Sequence, residues 1–402
     1  MASITPNTMR RRIHRTQDTL RALGLDGMVV IKPEHVRYLA GVWGYSTRTE
    51  YAMPRRLIAL IVPAKGDCTL IVPKIERFFV QRQTWIGDLR YHVEWGTPSE
   101  TFGGLALISA VLKEKSLCGR RLGVETGFVS ARFLDMLKTE LADCEFVEAA
   151  TVIEIQRMIK SPEEIEILRI SGAMCVREFE AEARAVRAGA REFELAAIGR
   201  EEGTRAYAEH TMADSETHAL VDPIVDGLQI VTSGERLDMV HALASTRVLT
   251  SNDMVLLDFC RYPQFLGYRI GFSRMVSLRQ PTKRETEMMD LTMEAFRLSL
   301  SVLRPGIPAE EPDLIARAFL DRHGLGETFV HRTGRGVGLE GVERPEIGAG
   351  DKTPLQPGMV VTVEPSIYFP HFAVHVEDTF LITKDGYEVL TPCSRELRVV
   401  TT

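Results

Sequence analysis

The feature that most constrains the fold is an apolar stretch, Met254–Val276, that contains a single acidic residue. Two β-favouring runs, Met254–Tyr262 and Tyr268–Val276, are separated by a short link with proline and glycine at its ends, which predicts a hairpin. A carboxylate inside an apolar run is costly unless another group neutralises it. We therefore expect Asp258 to be buried and paired, at the floor of a pocket.

The second run of this hairpin places three informative residues on one face. Arg269, Gly271 and Ser273 alternate along the chain, and side chains in a strand share a face every second residue. A solvated surface hairpin is the alternative, but the flanking side chains favour burial. These side chains are Leu256, Leu257, Phe259, Ile270 and Phe272. An arginine and a gap beside a buried carboxylate indicate a binding pocket.

Length and composition exclude several classes of protein. A chain of 402 residues predicts two domains. A net charge of −6 gives no basic surface for nucleic acid, and no apolar run is long enough to span a membrane. Six scattered cysteines without a CxxC pair suit reduced thiols in a cytoplasm. We expect a cytoplasmic protein that binds neither nucleic acid nor membrane.

The order of helical and strand-like segments predicts the two domains. Residues 1–155 alternate strands and helices, which is typical of an α/β domain, and residues 156–402 group their helices and strands, which indicates an α+β domain. Ser161-Pro162 begins a long helix, because a hydroxyl cap followed by proline is a strong start signal. Strands are expected in the last third at 359–365, 375–383 and 387–391.

Five segments occur together in a characteristic order. They are VHALAS with His241, the hairpin with Asp258, TGRGVGLE with Arg335, VTVEP with Glu364 and HVEDTFLIT with Glu377. In this order they resemble the creatinase/prolidase/methionine aminopeptidase superfamily (M24), whose catalytic fold is called pita-bread. The resemblance implies an α/β N-terminal domain of creatinase/prolidase type and an α+β pita-bread catalytic domain.

The resemblance also implies a metal centre, but this sequence lacks two of the side chains that would bind the metal. Metallopeptidases of the superfamily hold two ions with five side chains. Asp258, Glu364 and Glu377 match three of them, whereas the second acid falls on Gly271 and the histidine falls on Arg335. Arginine does not ligate metals, and its fixed charge substitutes for part of the lost metal charge. We therefore expect a metal-free site without a cofactor, and no metallopeptidase.

Creatinase is the metal-free precedent, and several of its positions are matched. His241 matches its catalytic histidine and Glu364 one of its two guanidinium-binding glutamates, while Ser273 stands at the other. Arg56 matches the arginine that holds the creatine carboxylate across the dimer, and Arg344 matches a further arginine loosely. The resemblance thus implies a homodimer in which Arg56 acts in trans on a small carboxylated substrate.

The expected function is a metal-independent, creatinase-like hydrolase of an amide or amidine C–N bond in a small carboxylated metabolite. His241 would act as general acid/base, with Glu364 and Glu377 as the other catalytic residues. Arginines would hold carboxylate or developing negative charge. The substrate-binding set is Arg56, Asp258, Arg269, Ser273, Arg335, Arg344 and His375.

Other functions and other roles stay open. A lyase resembling dimethylsulfoniopropionate lyases, an Xaa-Pro peptidase-like protein and a non-catalytic binding module are the alternatives. Glu364 and Glu377 could pair with Arg335 for structural reasons alone. His375 stands where metallopeptidases often carry an arginine, and it could merely orient Glu377. Four further histidines are unranked candidates for the pocket lining: His210, His218, His331 and His371.

Overall fold

The chain consists of two compact units in the computed structural model. The model describes residues 3–44, 56–95, 104–212, 223–225, 229–260 and 264–400. Residues 4–156 form the N-terminal unit, and residues 157–402 together with 1–3 form the second unit, which is called the catalytic unit after the domain expected there. His218 lies outside the described residues, as do residues 261–263, which end the first expected run of the hairpin and begin its link. Within the described ranges, no helix combines the length and the apolar character needed to cross a membrane.

The N-terminal unit is built on one mixed six-stranded sheet with helices. Its helices are α1 (Pro6–Ala22), α2 (Pro33–Ala40), α3 (Arg77–Gln83), α4 (Leu105–Glu114), α5 (Ala131–Glu140) and α6 (Thr151–Met158). Its strands are β1 (Gly27–Val30), β2 (Ala59–Pro63), β3 (Thr69–Pro73), β4 (Asp88–His92), β5 (Arg121–Val124) and β6 (Glu145–Glu148). The strand order is β4-β3-β2-β1-β5-β6.

The core of this unit lies between the central strands and two helices. Strands β1, β2 and β5 contribute fully buried aliphatic side chains, and α4 and α5 cover them with Ile108, Phe133 and Leu137 among others. The central strands are apolar on both faces because both faces of such a sheet are covered. The predicted α/β character of this half is confirmed.

The catalytic unit contains four helices and eleven strands among its described residues. The helices are α7 (Pro162–Ala185), α8 (Glu192–Met212), α9 (Lys283–Val302) and α10 (Glu311–Arg322). The strands are β7 (Ile230–Ser233), β8 (Met254–Asp258), β9 (Ser273–Ser277), β10 (Gly334–Gly336), β11 (Glu343–Ile347), β12 (Val360–Val363), β13 (Ile367–Phe369), β14 (Phe372–Val374), β15 (Asp378–Ile382), β16 (Tyr387–Val389) and β17 (Arg398–Val399).

These strands form a four-stranded sheet, β17-β9-β8-β7, a five-stranded sheet, β11-β10-β12-β15-β16, and the hairpin β13-β14. The two larger sheets are joined by an antiparallel bridge between Ser273 and Glu377. The Ser273 N–H donates to the Glu377 carbonyl at 3.2 Å, and the Glu377 N–H donates to the Ser273 carbonyl at 3.3 Å. The α+β character of this half is confirmed, and the bridge brings residues from both sheets together.

Helix α7 begins where the sequence predicts, and α9 begins with the same kind of cap. Ser161 caps α7 by accepting from the Glu164 N–H at 3.3 Å, and the Glu164 carboxylate accepts from the Ser161 N–H at 2.9 Å. Thr282 and Glu285 form the same reciprocal cap at α9. Each cap satisfies two backbone donors that the first turn of a helix leaves without a partner.

The hairpin pairs as predicted, but its second strand is shorter. β8 and β9 are antiparallel, with Asp258 opposite Ser273. Before Ser273, the Phe272 carbonyl still accepts from the Phe259 N–H at 2.9 Å, but the regular ladder ends. The Arg269 N–H donates to the Gly338 carbonyl at 2.7 Å, and the Gly271 N–H donates to the Thr379 hydroxyl at 3.0 Å. The prediction of a strand from Tyr268 onward is therefore wrong for the residues before Ser273.

Candidate active site

Three buried or largely buried acids meet where the two sheets of the catalytic unit join. Asp258 ends β8, Glu364 directly follows β12, and Glu377 directly precedes β15. Asp258 and Glu377 are 1% and 0% exposed, and the Glu364 side chain is 13% exposed. Asp258, Cys260 and Glu377 each place a polar atom within 4.8 Å of the others. Burial of this many carboxylates requires a compensating cation.

Arg335 on β10 is that cation. Its Nη1 donates to Glu377 Oε1 at 2.8 Å and to Glu364 Oε1. The same nitrogen donates to the Thr362 hydroxyl at 3.0 Å, and Nε donates to the Gly341 carbonyl at 2.9 Å. The guanidinium is therefore held at both ends and lies among the acids. The expectation that Arg335 balances Glu364 and Glu377 agrees with this geometry.

Gly271 provides the space for this arrangement. A Cβ atom at this position would lie 2.1 Å from Glu377 Oε1 and 2.5 Å from Thr362 Cγ2. Both distances are far inside van der Waals contact, so a side chain at 271 would displace the Glu377 carboxylate or the Thr362 methyl group. The gap expected at Gly271 exists, and Glu377 fills it.

The two glutamates differ in their acidity. Burial raises the pKa of Glu364, but Arg335, His331 and His375 together lower it by more. The pKa of Glu364 therefore lies below its ordinary value. Burial and the neighbouring carboxylates Glu364 and Asp258 raise the pKa of Glu377 well above its ordinary value, although Arg335 lowers it. Glu364 is thus the more acidic member of the pair, and Glu377 is the less acidic one.

A chain of hydrogen bonds leads from His375 to a half-buried histidine. His375 Nδ1 lies 2.9 Å from the Tyr368 hydroxyl, which lies 3.2 Å from His331 Nε2. His331 Nδ1 lies 2.8 Å from the Arg332 carbonyl. The other nitrogen of His375, Nε2, lies 3.8 Å from Glu364 Oε2, which is too long for a hydrogen bond. Burial lowers the pKa of His375 most, against the opposing effect of Asp258 and Glu364.

A buried arginine behind the site fixes the backbone that carries Glu377. Arg274 is 1% exposed and donates to the Glu377 carbonyl at 2.8 Å and to Asp378 Oδ1 at 2.7 Å. It also donates to the Cys393 and Ser394 carbonyls at 3.0 and 2.7 Å. Because the Arg274 guanidinium donates to these four groups at once, it holds the start of β15 in one position. The backbone that carries Glu377 beside Arg335 is therefore fixed.

The remaining expected binding residues of this unit lie at different distances from the acids. Ser273 is buried, and its backbone bridges directly to Glu377. Arg269 is half-buried, and its Cδ packs near Gly341, the residue whose carbonyl accepts from Arg335. Arg344 is exposed on β11. The structure therefore brings Ser273 and Arg269 toward the site, whereas Arg344 is on the surface.

Two other expected residues lie on other segments of the chain. His241 is exposed, in the segment that connects β7 and β8. Arg56 belongs to the N-terminal unit, where its guanidinium pairs with Glu94 of the same unit. The role of Arg56 in a partner subunit stays a prediction.

The unranked histidines are now distinguished by position. His331 belongs to the chain of hydrogen bonds that ends at His375. His210 is exposed at the end of α8 and packs against Phe265, with ring centroids 5.5 Å apart. His371 is exposed in the turn between β13 and β14, with Nδ1 3.1 Å from the Glu235 carbonyl.

Sequence reasoning missed Tyr368 and Thr362. Thr362 accepts from the Arg335 backbone N–H at 3.1 Å and donates to Glu364 Oε1 at 3.1 Å. Tyr368 reaches His375 because the tight hairpin β13-β14 folds YFPHFAVH back on itself. The Pro-His pair between two aromatic β-formers is the signal that predicts this turn. No comparable signal marks Thr362.

Comparison with known proteins gives relatives that align with nearly the whole chain. An Xaa-Pro dipeptidase of Pyrococcus furiosus is 28% identical over 394 residues, which covers 97% of this chain and 100% of the relative. A probable dipeptidase PepE of Mycobacterium bovis is 32% identical over 380 residues, covering 94% and 92%. The structure of an Xaa-Pro dipeptidase from Bacillus anthracis superposes with a TM-score of 0.81 at 25% identity, covering 98% and 100%.

These relatives correct the functional prediction. The expectation of a metal-independent, creatinase-like hydrolase of non-peptide C–N bonds is wrong, because the relatives are named as dipeptidases that act on peptides. The expectation that a metallopeptidase is unlikely is wrong for the same reason. Both expectations rested on two substituted positions, Gly271 and Arg335. The charge of a pocket indicates which groups it binds, but two positions do not outweigh similarity along the whole chain.

The side chains of this site nevertheless do not fit a pair of metal ions held by five protein ligands. Gly271 offers no ligand atom, and Arg335 bonds to one oxygen of each glutamate that would face an ion. A guanidinium keeps its proton in proteins and has no lone pair to offer. Among the residues that the structure describes, the potential ligands at this site are Asp258, Cys260, Glu364, His375 and Glu377.

Two family models together cover most of the chain. The creatinase/prolidase N-terminal domain matches residues 12–159, and metallopeptidase family M24 matches residues 166–384. The resemblance seen in the five sequence segments is thereby confirmed, as is the expected pairing of an α/β N-terminal domain with an α+β pita-bread catalytic domain. This chain belongs to metallopeptidase family M24.

Proposed function

We propose that the chain is a peptidase that hydrolyses short peptides, with Xaa-Pro dipeptides as the first substrate class. The observation that supports this most is the cluster of Asp258, Glu364 and Glu377 in the catalytic unit of a chain that aligns from end to end with named dipeptidases. Two carboxyl groups of different acidity in one site are the arrangement that general acid–base hydrolysis requires.

The two glutamates divide the work of proton transfer in this proposal. Glu364, with a lowered pKa, is ionised and can accept a proton from the attacking water. Glu377, with a raised pKa, holds a proton that it can donate to the departing amide nitrogen. Arg335 contributes a fixed positive charge that stabilises the negative charge formed on the peptide oxygen.

The substrate class is tested with a panel of dipeptides. The purified chain is incubated with Xaa-Pro, Pro-Xaa and Xaa-Ala dipeptides, and free amino acids are measured by mass spectrometry. Each assay is run with chelator and with added Mn²⁺, Co²⁺ or Zn²⁺. We expect release of proline from Xaa-Pro dipeptides in at least one condition. Absence of hydrolysis of every dipeptide under every condition contradicts the proposal.

The role of Glu364 is tested by substitution. Glu364→Gln keeps the size of the side chain but removes the base, so hydrolysis should fall by about 100-fold or more. The matched control is Glu388→Gln, which removes an exposed carboxylate that pairs with Arg169 away from the site. The control should retain full hydrolysis. Equal activities of the two variants would exclude Glu364 as the base.

A second candidate is a peptide-binding protein without hydrolysis. It is favoured by one observation, namely that Arg335 bonds to oxygens of both glutamates. In this case dipeptides raise the thermal midpoint of unfolding, because they bind the folded state, but no product forms. Midpoint measurements made alongside the dipeptide panel distinguish the two candidates.

The cytoplasm is the location that we propose for this activity. In support, all six cysteines are free thiols. Fractionation of the source cells, followed by immunodetection of the chain, tests this location. Recovery in a secreted fraction would contradict it.

A further inference from the structure

Two cysteines of the N-terminal unit lie at the same end of two neighbouring strands. Cys118 is in the turn that leads into β5, and Cys144 directly precedes β6. The two strands are parallel, with Arg121 opposite Glu145, and the Glu145 N–H donates to the Arg120 carbonyl at 3.0 Å. Because parallel strands begin at the same edge of a sheet, both cysteines lie at that edge.

The sulfur of Cys144 is directed at the segment that carries Cys118. It donates to the Leu117 carbonyl, with Sγ 3.7 Å from the oxygen. That oxygen is about 2.8 Å from the Cys118 Cα by standard peptide geometry, so Cys144 Sγ lies within about 6.5 Å of this Cα. Gly119 follows with φ of +68°, and no atom lies within 4 Å of the position that its Cβ would take. The turn therefore has room for the small shift that joins two sulfurs.

The two thiols also affect each other and are open to small molecules. Burial raises the pKa of Cys118 most, and Cys144 raises it further, against the opposing effect of Lys113. A like charge has such an effect only when it is close. Both residues are half-buried, whereas Cys68 and Cys175 are buried and shielded from solvent. An oxidant of the size of a peroxide can therefore reach this pair.

We propose that Cys118 and Cys144 are a redox pair that hydrogen peroxide converts to a reversible disulfide within one chain. The first thiolate attacks the peroxide, so that an S–O bond forms and the O–O bond breaks. The second thiolate attacks the resulting sulfenic sulfur, so that the S–S bond forms and the S–O bond breaks. Each leaving hydroxide takes the proton of one thiol and departs as water. The two sulfurs lose two electrons, which the peroxide gains, and a dithiol reductant reverses the reaction.

The disulfide fixes the last strand of the sheet. Among the described strands of this unit, β6 is last in the order and pairs with β5. The residues of β6 are exposed or half-buried, so opening of this strand exposes little apolar surface. A bond at its start reduces the conformational freedom of the opened state. The redox pair belongs to the N-terminal unit and does not depend on the proposed peptidase activity.

The bond is detected by peptide mapping of the full chain. The chain is treated with hydrogen peroxide, the remaining thiols are alkylated, and the chain is digested with trypsin without reductant. Cleavage after lysine and arginine places Cys118 in peptide 116–120 and Cys144 in peptide 139–157. Mass spectrometry should find these two peptides linked, with the loss of two hydrogen atoms, and dithiothreitol should separate them. Oxidation of both cysteines to separate sulfinic acids, without the linked peptide, would overturn the proposal.

A mixture of unlabelled and ¹⁵N-labelled chains shows whether the bond lies within one chain. Each linked peptide should be labelled in both halves or in neither. Linked peptides with one labelled half, in the proportion of random pairing, would contradict a bond within the chain.

Two variants assign the reaction to this pair. In Cys118→Ser, the sulfenic acid of Cys144 has no thiol to capture it, so peroxide should convert it to the sulfinic acid faster than in the wild type. The matched control is Cys393→Ser, which removes a half-buried thiol of the catalytic unit and should form the linked peptide at the wild-type rate. If Cys144 is oxidised to the sulfinic acid at equal rates with and without Cys118, Cys118 is not its partner.

Hydrogen–deuterium exchange of the full chain measures the effect on β6. Oxidised and reduced chains are labelled in parallel, and the quench contains reductant so that both give the same peptides. Amides of β6 should exchange about 10-fold more slowly, or slower still, in the oxidised chain, because the linked strand opens less often. Cys118→Ser treated with peroxide should exchange as the reduced wild type does. Equal exchange of β6 in oxidised and reduced wild type would refute the fixing of this strand.

Discussion

At the residue scale, the site depends on one buried arginine that contacts two of its acids. Arg335 is 7% exposed and bonds through a single nitrogen to Thr362, Glu364 and Glu377. Burial alone would lower the pKa of Arg335, but the carboxylates Glu364 and Glu377 raise it well above its ordinary value. The guanidinium is therefore permanently charged, and Glu364 and Glu377 both bind to it.

Removal of this charge should destabilise the fold. Arg335→Ala leaves buried carboxylates without a cation, and loss of one partner of a buried pair costs about 3–5 kcal/mol in the free energy of unfolding. The measurement is urea unfolding followed by circular dichroism at neutral pH. Arg297→Ala is the control, because Arg297 pairs with Glu294 on the exposed face of α9 and should leave stability unchanged. If Arg335→Ala is as stable as this control, Arg335 does not contribute to the stability of the fold.

At the element scale, a buried ion triplet ties the segment before α7 to strand β11. Glu343 pairs with Arg157 and with Lys160, whose Nζ lies 2.9 Å from Glu343 Oε2. The side chains of these three residues are at most 5% exposed. Burial raises the pKa of Glu343, but Arg157 and Lys160 outweigh burial and lower it to about 2.

This triplet predicts how stability depends on pH. The pKa of Glu343 is about 2 in the folded chain and 4.5 as its ordinary value, so the unfolded chain binds more protons between these values. Its contribution, about 3 kcal/mol, is complete above pH 4.5 and is lost as the pH falls toward 2. Glu343→Gln should lower stability at neutral pH and remove this part of the acid dependence, measured by urea unfolding at several pH values. Glu294→Gln, on an exposed helix face, should retain it.

Some of these elements could be predicted from the sequence, and others could not. The capped start of α7 was predictable because Ser161, Pro162 and Glu164 are local signals. The early end of the second hairpin strand was not, since Gly271 bonds to Thr379, more than a hundred residues away. Asp258 was identified from its apolar surroundings, whereas Glu364 and Glu377 were identified by resemblance to a family. The contacts of His375 with Tyr368 and Glu364 depend on how β13, β14 and β12 meet, and no short-range pattern gives that.

At the scale of the whole molecule, the two units have separate hydrophobic cores. The core around β1, β2, β5, α4 and α5 lies in residues 4–156, and the catalytic unit has two further clusters, one on α9 and α10 and one beneath β12 and β15. A unit of this length is of ordinary domain size and has its own core. The expected site residues that the structure brings together, among them Asp258, Ser273, Arg335 and Glu377, belong to the catalytic unit.

This division predicts that the N-terminal unit folds alone. A chain of residues 4–156 should unfold cooperatively, with its own thermal transition, because the buried cluster on β1, β2, β5, α4 and α5 lies within these residues. Differential scanning calorimetry and circular dichroism of the isolated unit measure this. The control is the same unit with Leu122→Asp, which puts a charge into that core and should abolish the transition. A broad, non-cooperative melt of the unchanged unit would contradict separate folding.

The close contact between Gly271 and Glu377 also restricts the routes by which single substitutions can alter this site. Gly271→Asp alone would add a fourth acid and place its Cβ 2.1 Å from Glu377 Oε1. Arg335→His alone would take the fixed cation away from Glu364 and Glu377. Each step is unfavourable while the other position is unchanged, because the two residues share one carboxylate. A lineage that carries this pair is therefore separated from one with an acid and a histidine by a barrier that single mutations cross only at a loss of stability.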